Sequence, residues 1–205
     1  VDVALRDGQL FVTHDPSDVD PGALLRDLYL DPLEEIARAN GGRIYGAAVP
    51  PLQLLIDVKS APAAAYEALE ELLAGYDDLV TSWADDAAAI RAVTVVVSGN
   101  RATERIRARS VRRVSLDGRI WDDRIAFTPG VMPLVSVDWE EDVDARDRMA
   151  SARRMVEQVH AEGRALRFWG TPDDPELWTS LRALGVDFIG ADDVPALARF
   201  AGLDR

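Results

Sequence analysis

The chain has 205 residues, 48% hydrophobic and 29% charged, with a formal net charge of −13 and no cysteine. That length suffices for one sizeable core, a single domain over residues 1–205, yet falls short of the roughly 250 residues of a complete β/α barrel. The acidic balance argues against nonspecific nucleic-acid binding and against docking on anionic membranes through a broad basic patch. The lack of cysteine excludes disulfides, thiolate zinc sites and a cysteine nucleophile, and no apolar run approaches the roughly 18 residues of a membrane span.

In chain order, Val1 to Leu5 and Gln9 to His14 are apolar stretches joined across Asp7-Gly8, a pair that turns the chain between extended segments. Asp20 to Asn40 carries Leu24, Leu25, Leu28, Leu33, Ile36 and Ala37 at helical spacing, with Pro32 interrupting and Gly41-Gly42 ending it; the spacing predicts two short helices. Leu52 to Val58 reads as a strand buried on both faces of a parallel sheet. A helix over Ala63 to Leu73, stopping near Gly75, follows at once. Further strands are predicted at Val93 to Val97, Val111 to Leu116, Leu134 to Val137, Leu166 to Trp169 and Asp187 to Ile189. Helices are predicted at Asp144 to Glu162, Pro175 to Leu184 and Val194 to Phe200.

Strands alternating with helices imply a parallel α/β sheet, and the absence of a domain linker favours a barrel over two small domains. A doubly wound sheet is the competitor. Its dinucleotide signature, a Gly-x-Gly-x-x-Gly turn after a strand, is missing, because Gly41-Gly42-Arg43-Ile44-Tyr45-Gly46 follows a helix.

Several of these strands end in groups able to bind metal or phosphate: His14-Asp15, Asp57 with Lys59, Ser98-Gly99-Asn100-Arg101, Asp117-Gly118-Arg119, Ser136 with Asp138, and Asp192-Asp193. In a barrel such ends converge on one face, where barrel active sites lie. Asp57 and Lys59 are two apart, so their side chains share a face; they can hold a cation and a phosphate together, or form a salt bridge capping the strand. His14 brings an imidazole, a side chain suited to proton transfer, against the alternative of a polar strand end making one backbone hydrogen bond. His160, in the last turn of a helix, is assigned a structural role at the helix carboxyl end.

The run Asp2-Val3-Ala4-Leu5-Arg6-Asp7-Gly8 and Leu10-Phe11-Val12-Thr13-His14-Asp15 resembles the later part of the Glu-x-Asp-Val, Asp-Gly, His-Asp motif of glycerophosphodiester phosphodiesterases and the wider phospholipase-C-like superfamily. Leu54-Leu55-Ile56-Asp57-Val58-Lys59 is similar to that superfamily's next strand. Leu28-Tyr29-Leu30-Asp31-Pro32-Leu33, Val97-Ser98-Gly99-Asn100-Arg101, Leu116-Asp117-Gly118-Arg119, Arg167-Phe168-Trp169-Gly170-Thr171-Pro172 and Gly185-Val186-Asp187-Phe188-Ile189 resemble the altered-inheritance-of-mitochondria-six-type subgroup.

The resemblance implies a TIM-type (β/α)8 barrel, here without its first strand, and a metal-dependent phosphodiesterase acting on a glycerophosphodiester or phospholipid head group. It implies Asp2 and Asp57 as ligands of Mg2+ or Ca2+, with His14 and Lys59 catalytic. It further implies Lys59 as a phosphate contact, Asn100 and Arg119 as substrate contacts, and Trp169 as an aromatic near the substrate, unless Trp169 only fills the barrel top. Oxygen ligands suit such hard cations. The family pattern also places a first catalytic His and a Glu ahead of Asp2, which this sequence does not contain; the expectation is a longer natural chain, and weak or absent hydrolysis without them. The alternative functions are a noncatalytic phosphate-ligand or partner-binding barrel, and a lyase forming a cyclic phosphate. Substrate identity, oligomeric state and compartment, secreted or cytoplasmic, stay open, because the chain starts at Val1 without an initiator Met or a signal peptide.

Overall fold

Asp7 and Gly8 both take positive φ, 51° and 76°, the backbone that a two-residue hairpin turn requires. They close a hairpin of β1 (Asp2–Arg6) and β2 (Gln9–Val12), with Val3 facing Val12 and Leu5 facing Leu10. The computed structural model describes residues 1–46, 49–85 and 87–203, and the chain divides into two compact units, Val1–Asp117 and Gly118–Arg205.

In the first unit a π-helical turn, Arg26–Leu30, runs directly into α1 (Asp31–Ala39). Pro32 lies in the first turn of α1, where its missing N–H is not needed; it starts the helix instead of interrupting one. Then come β3 (Leu52–Val58), α2 (Pro62–Leu73), β4 (Ser82–Ala84), β5 (Ala87–Ala89), β6 (Val93–Gly99), α3 (Thr103–Ala108), β7 (Val111–Arg112) and β8 (Val114–Gly118). The main sheet of this unit runs β8-β6-β3-β1-β2, parallel except for the β1–β2 hairpin. β3 and β6 pair over seven residues, from Leu52 with Val93 to Val58 with Gly99.

Two further expectations change here. The single strand predicted over Val111 to Leu116 is two strands, because Val111 and Arg112 pair antiparallel with β4 in a small sheet β5-β4-β7. Arg112, itself buried, stacks its guanidinium 4.9 Å from the Trp83 ring centroid and pins that pairing. Second, β3 is not buried on both faces: Leu54, Ile56 and Val58 are buried while Gln53, Leu55 and Asp57 are half-buried. Its second face is where Asp57 projects, so one face packs and the other carries polar groups. β6 and β8 fit the doubly buried pattern better, with Val95, Val96, Val97, Val114 and Leu116 fully covered.

The second unit contains β9 (Leu134–Asp138), α4 (Arg148–Ala161), β10 (Ala165–Trp169), α5 (Pro175–Leu184), β11 (Phe188–Ile189) and α6 (Val194–Phe200). β10 lies between β9 and β11, parallel to both. Its core joins Val135, Val137, Val156, Val159, Leu166 and Leu181 to an edge-to-face pair, Trp139 and Phe168, at 5.2 Å. Each helix begins on an aspartate: Asp147, Asp174 and Asp193 accept from the N–H groups of Ala150, Glu176 and Ala196. No helix among the described residues is long and apolar enough to cross a membrane.

Candidate active site

Strand register creates the site. Asp2 of β1 lies beside Asp57 of β3 in the parallel pairing, and the ladder continues past it, the Lys59 N–H donating to the Val3 carbonyl at 2.8 Å. The hairpin returns the chain to the same place: the Thr13 N–H donates to the Asp2 carbonyl at 3.1 Å. Thr13 Oγ1 then lies 2.8 Å from the carbonyl oxygens of both Asp15 and Asp18, its one hydroxyl proton shared between them, and shapes the bend after β2. Residues far apart in sequence are thereby fixed by backbone hydrogen bonds before their side chains interact.

The side chains form one connected cluster. His14 Nδ1 is 2.7 Å from Asp2 Oδ2, Lys59 Nζ is 3.4 Å from Asp2 Oδ1, and Lys59 Nζ is 3.0 Å from Asp57 Oδ1. Asp2 is the hub. Burial pushes the Asp2 carboxyl upward, but the His14 hydrogen bond and the Lys59 charge outweigh it and hold the group below the usual carboxylate range. Burial would likewise lower the Lys59 ammonium, and the carboxylates of Asp57 and Asp2 raise it above its ordinary value. Lys59 and Asp57 are largely covered, whereas the His14 side chain is 83% exposed.

This arrangement fixes proton chemistry. An ionised carboxylate only accepts hydrogen bonds, so Asp2 holds the proton of His14 on Nδ1 and leaves Nε2 able to take one from solvent or a bound molecule. Lys59 places a permanent positive charge beside it.

The remaining expected site residues sit as follows. Asn100 Nδ2 donates to the Lys59 carbonyl at 3.1 Å, so its amide holds backbone. Arg119 belongs to the second unit, where its N–H donates to Asp122 Oδ2 at 2.7 Å and its guanidinium to the Gly118 carbonyl at 3.2 Å. Trp169, at the end of β10, is 40% exposed and lines a cavity of about 350 Å3 with Arg167, Thr171 and Asp192.

Other polar strand ends serve the fold. Ser98 Oγ donates to the buried Asp117 carboxylate at 2.8 Å. Asp138 Oδ1 accepts from the N–H groups of Glu140 and Glu141. Asp173 accepts from those of Asp192 and Asp193. His160 Nε2 meets Asp187 Oδ2 at 2.8 Å, and the same oxygen accepts from the Leu166 N–H. Ser60, which sequence reasoning passed over, accepts the Leu5 N–H on its Oγ at 3.2 Å and ties β1 to the end of β3; a serine after Asp-x-Lys carries no signal that would have identified it.

Among the described residues no group of three or more His, Cys, Asp or Glu side chains is placed to hold a metal ion. The two carboxylates fit part of a hard-cation ligand set in supplying oxygen donors only, and the Lys59 ammonium contacts both of them.

A family model described as AIM6-like phosphodiesterase domain matches residues 1–117, more than half of the chain. The chain is similar to the altered inheritance of mitochondria protein 6 homolog of Arthroderma benhamiae, at 24% identity over 95% of this chain and 71% of that protein. It is also similar to the altered inheritance of mitochondria protein 6 of Eremothecium gossypii, at 29% identity over 93% of this chain and 59% of that protein. Among solved structures, a glycerophosphodiester phosphodiesterase from Parabacteroides distasonis superposes with a TM-score of 0.54, at 15% identity, over 98% of this chain and 83% of that one. The likeness bears out the expected α/β fold of the TIM type.

Proposed function

This chain belongs to the AIM6-like phosphodiesterase domain family, and from that premise we propose that it is a metal-dependent phosphodiesterase acting on a glycerophosphodiester or phospholipid head group at the Asp2, His14, Asp57 and Lys59 cluster. The observation that carries this reading is the hydrogen-bonded chain from His14 through Asp2 and Lys59 to Asp57. His14 acts as the acid–base group, with Nε2 taking a proton from the attacking hydroxyl or returning one to the leaving oxygen. Asp2 fixes the imidazole and stabilises its charged form. Lys59 offsets the negative charge that grows on the phosphoryl oxygens in the transition state. Asp2 and Asp57 would hold Mg2+ or Ca2+, and the bound cation supplies Lewis-acid polarisation of the phosphoryl group.

One feature supports a second reading, a noncatalytic phosphate-binding domain: the Lys59 ammonium already contacts both carboxylates, so the cluster's charge is partly balanced by the protein itself. Purified protein assayed on a panel of glycerophosphodiesters and phospholipid head groups separates the two. Turnover abolished by EDTA and by His14→Ala, with the fold intact, is the expected result. Calorimetric binding of a phosphate ester without turnover would replace the enzymatic reading with the second one, and product analysis distinguishes hydrolysis from cyclic-phosphate release.

A further inference from the structure

Asp57 lies opposite Ser98 in the β3–β6 ladder, one step before the pair Val58 and Gly99. At Gly99 the backbone comes against the Asp57 side chain so closely that a Cβ built there would lie 2.2 Å from Asp57 Oδ1, 2.9 Å from its Cγ and 2.7 Å from the Val58 carbonyl oxygen. No side chain fits that space. The residue also has φ +66°, a conformation that glycine adopts without strain. Asn100 continues the contact: its N–H donates to the Val58 carbonyl at 2.8 Å, and its Nδ2 donates to the Lys59 carbonyl at 3.1 Å. Two consecutive residues therefore touch Asp57, Val58 and Lys59 in turn.

We propose that Gly99 and Asn100 form a positioning clamp that sets the Asp57 carboxylate against the Lys59 ammonium. The glycine backbone closes one side of the carboxylate and so restricts its rotation. The asparagine fixes the backbone from which the Lys59 side chain departs. Neither residue has to touch substrate for the clamp to matter, because a charged pair is useful to chemistry only when held within a fraction of an ångström of its working geometry. The geometric claim stands on the contacts alone; its consequence for turnover rests on the phosphodiesterase reading.

Gly41 supplies the control. It has φ +64° and nothing within 4 Å of a built Cβ, so alanine there carries the same backbone strain without meeting Asp57. The clamp is read by NMR as the coupling across the hydrogen bond from the Lys59 15Nζ to the Asp57 13Cγ. Gly99→Ala should lose this coupling, Asn100→Ala should at least halve it, and Gly41→Ala should keep it. On bis(4-nitrophenyl) phosphate, Gly99→Ala should lower kcat about tenfold or more with little change in KM, and Gly41→Ala should stay within about twofold of the parent.

A preserved coupling in Gly99→Ala, or a kcat no lower than that of Gly41→Ala, overturns the clamp, as does absence of the coupling in the unsubstituted protein. If Gly99→Ala does not fold, Asn100→Ala decides alone, and an unchanged coupling there overturns it. If the unsubstituted protein fails to turn over any phosphodiester, the proposed function fails and the NMR comparison still judges the clamp.

Discussion

Asp2→Asn removes one charge from the centre of the cluster while keeping the size of the side chain. His14 Nδ1 lies 2.7 Å from Asp2 Oδ2, so a proton gained by the imidazole during reaction meets a full negative charge at that distance. Coulomb's law sets the attraction at about 1.5 kcal/mol in bulk water, and severalfold more at the effective dielectric of a protein surface. Side-chain exposures of 83% for His14 and 35% for Asp2 keep the figure near the water limit. A loss of roughly 1–1.5 kcal/mol corresponds to a fall in kcat of about 5- to 13-fold. The asparagine can also turn its NH2 toward Nδ1, which moves the imidazole proton to Nε2 and removes the base. The assay is initial rates on a phosphodiester substrate over about pH 5–9, at saturating Mg2+ or Ca2+ so that weakened metal affinity does not enter, with a thermal melt to confirm folding. A variant that folds and keeps kcat within about twofold of the parent would refute the role given to this pair.

Lys59→Met leaves Asp2 and Asp57 facing each other without the ammonium that contacts both. Expected are a kcat lower by about 10- to 100-fold and an Asp2 carboxyl titrating upward toward its ordinary value, read from its 13C resonance. In the second unit, Glu162 accepts from Arg124 Nε and Nη2, each at 2.7 Å, and from Arg164 Nε at 3.2 Å, with both arginine side chains almost fully buried. Glu162→Ala should cost about 3 kcal/mol, the low end for breaking a buried pair, since Arg164 keeps the carbonyls of Met132, Arg124 and Phe127; urea unfolding measures it. The Arg124 hydrogen bond holds the Glu162 carboxyl below its ordinary value. Its stabilisation is therefore complete above the unfolded-state value of 4.5 and lost as pH falls through the lower folded value, so the parent's acid-side loss of Tm should be shallower in the variant. Phe168→Ala empties a fully buried position against Trp139 and should destabilise by about 3–5 kcal/mol in the same experiment.

How much of this was legible in the sequence depends on the kind of signal. β3, α2, β6, β9, β10 and α5 were readable because apolar runs and helical spacing of ordinary length record burial directly. α3 was missed, being six residues long, too short for a period to register. β5 was missed because Ala87–Ala89 is a run of a helix-favouring residue that only pairing with β4 holds extended. At the site, His14, Asp57 and Lys59 stood out as polar groups closing apolar strands, and Asp2 entered only through the family resemblance; Asn100, expected as a substrate contact, also donates its side-chain amide to the Lys59 carbonyl.

Residue order alone determined the alternation of strands and helices, the Asp7-Gly8 turn and the identity of the polar strand ends, since these follow from local periodicity and backbone preference. Only tertiary pairing decided that Asp2 stands beside Asp57, that the hairpin returns His14 to Asp2, and that Gly99 closes on a carboxylate 42 positions earlier. Strand register between distant segments is set by which faces bury together and by hydrogen bonds across the sheet, and no local stretch of sequence records it.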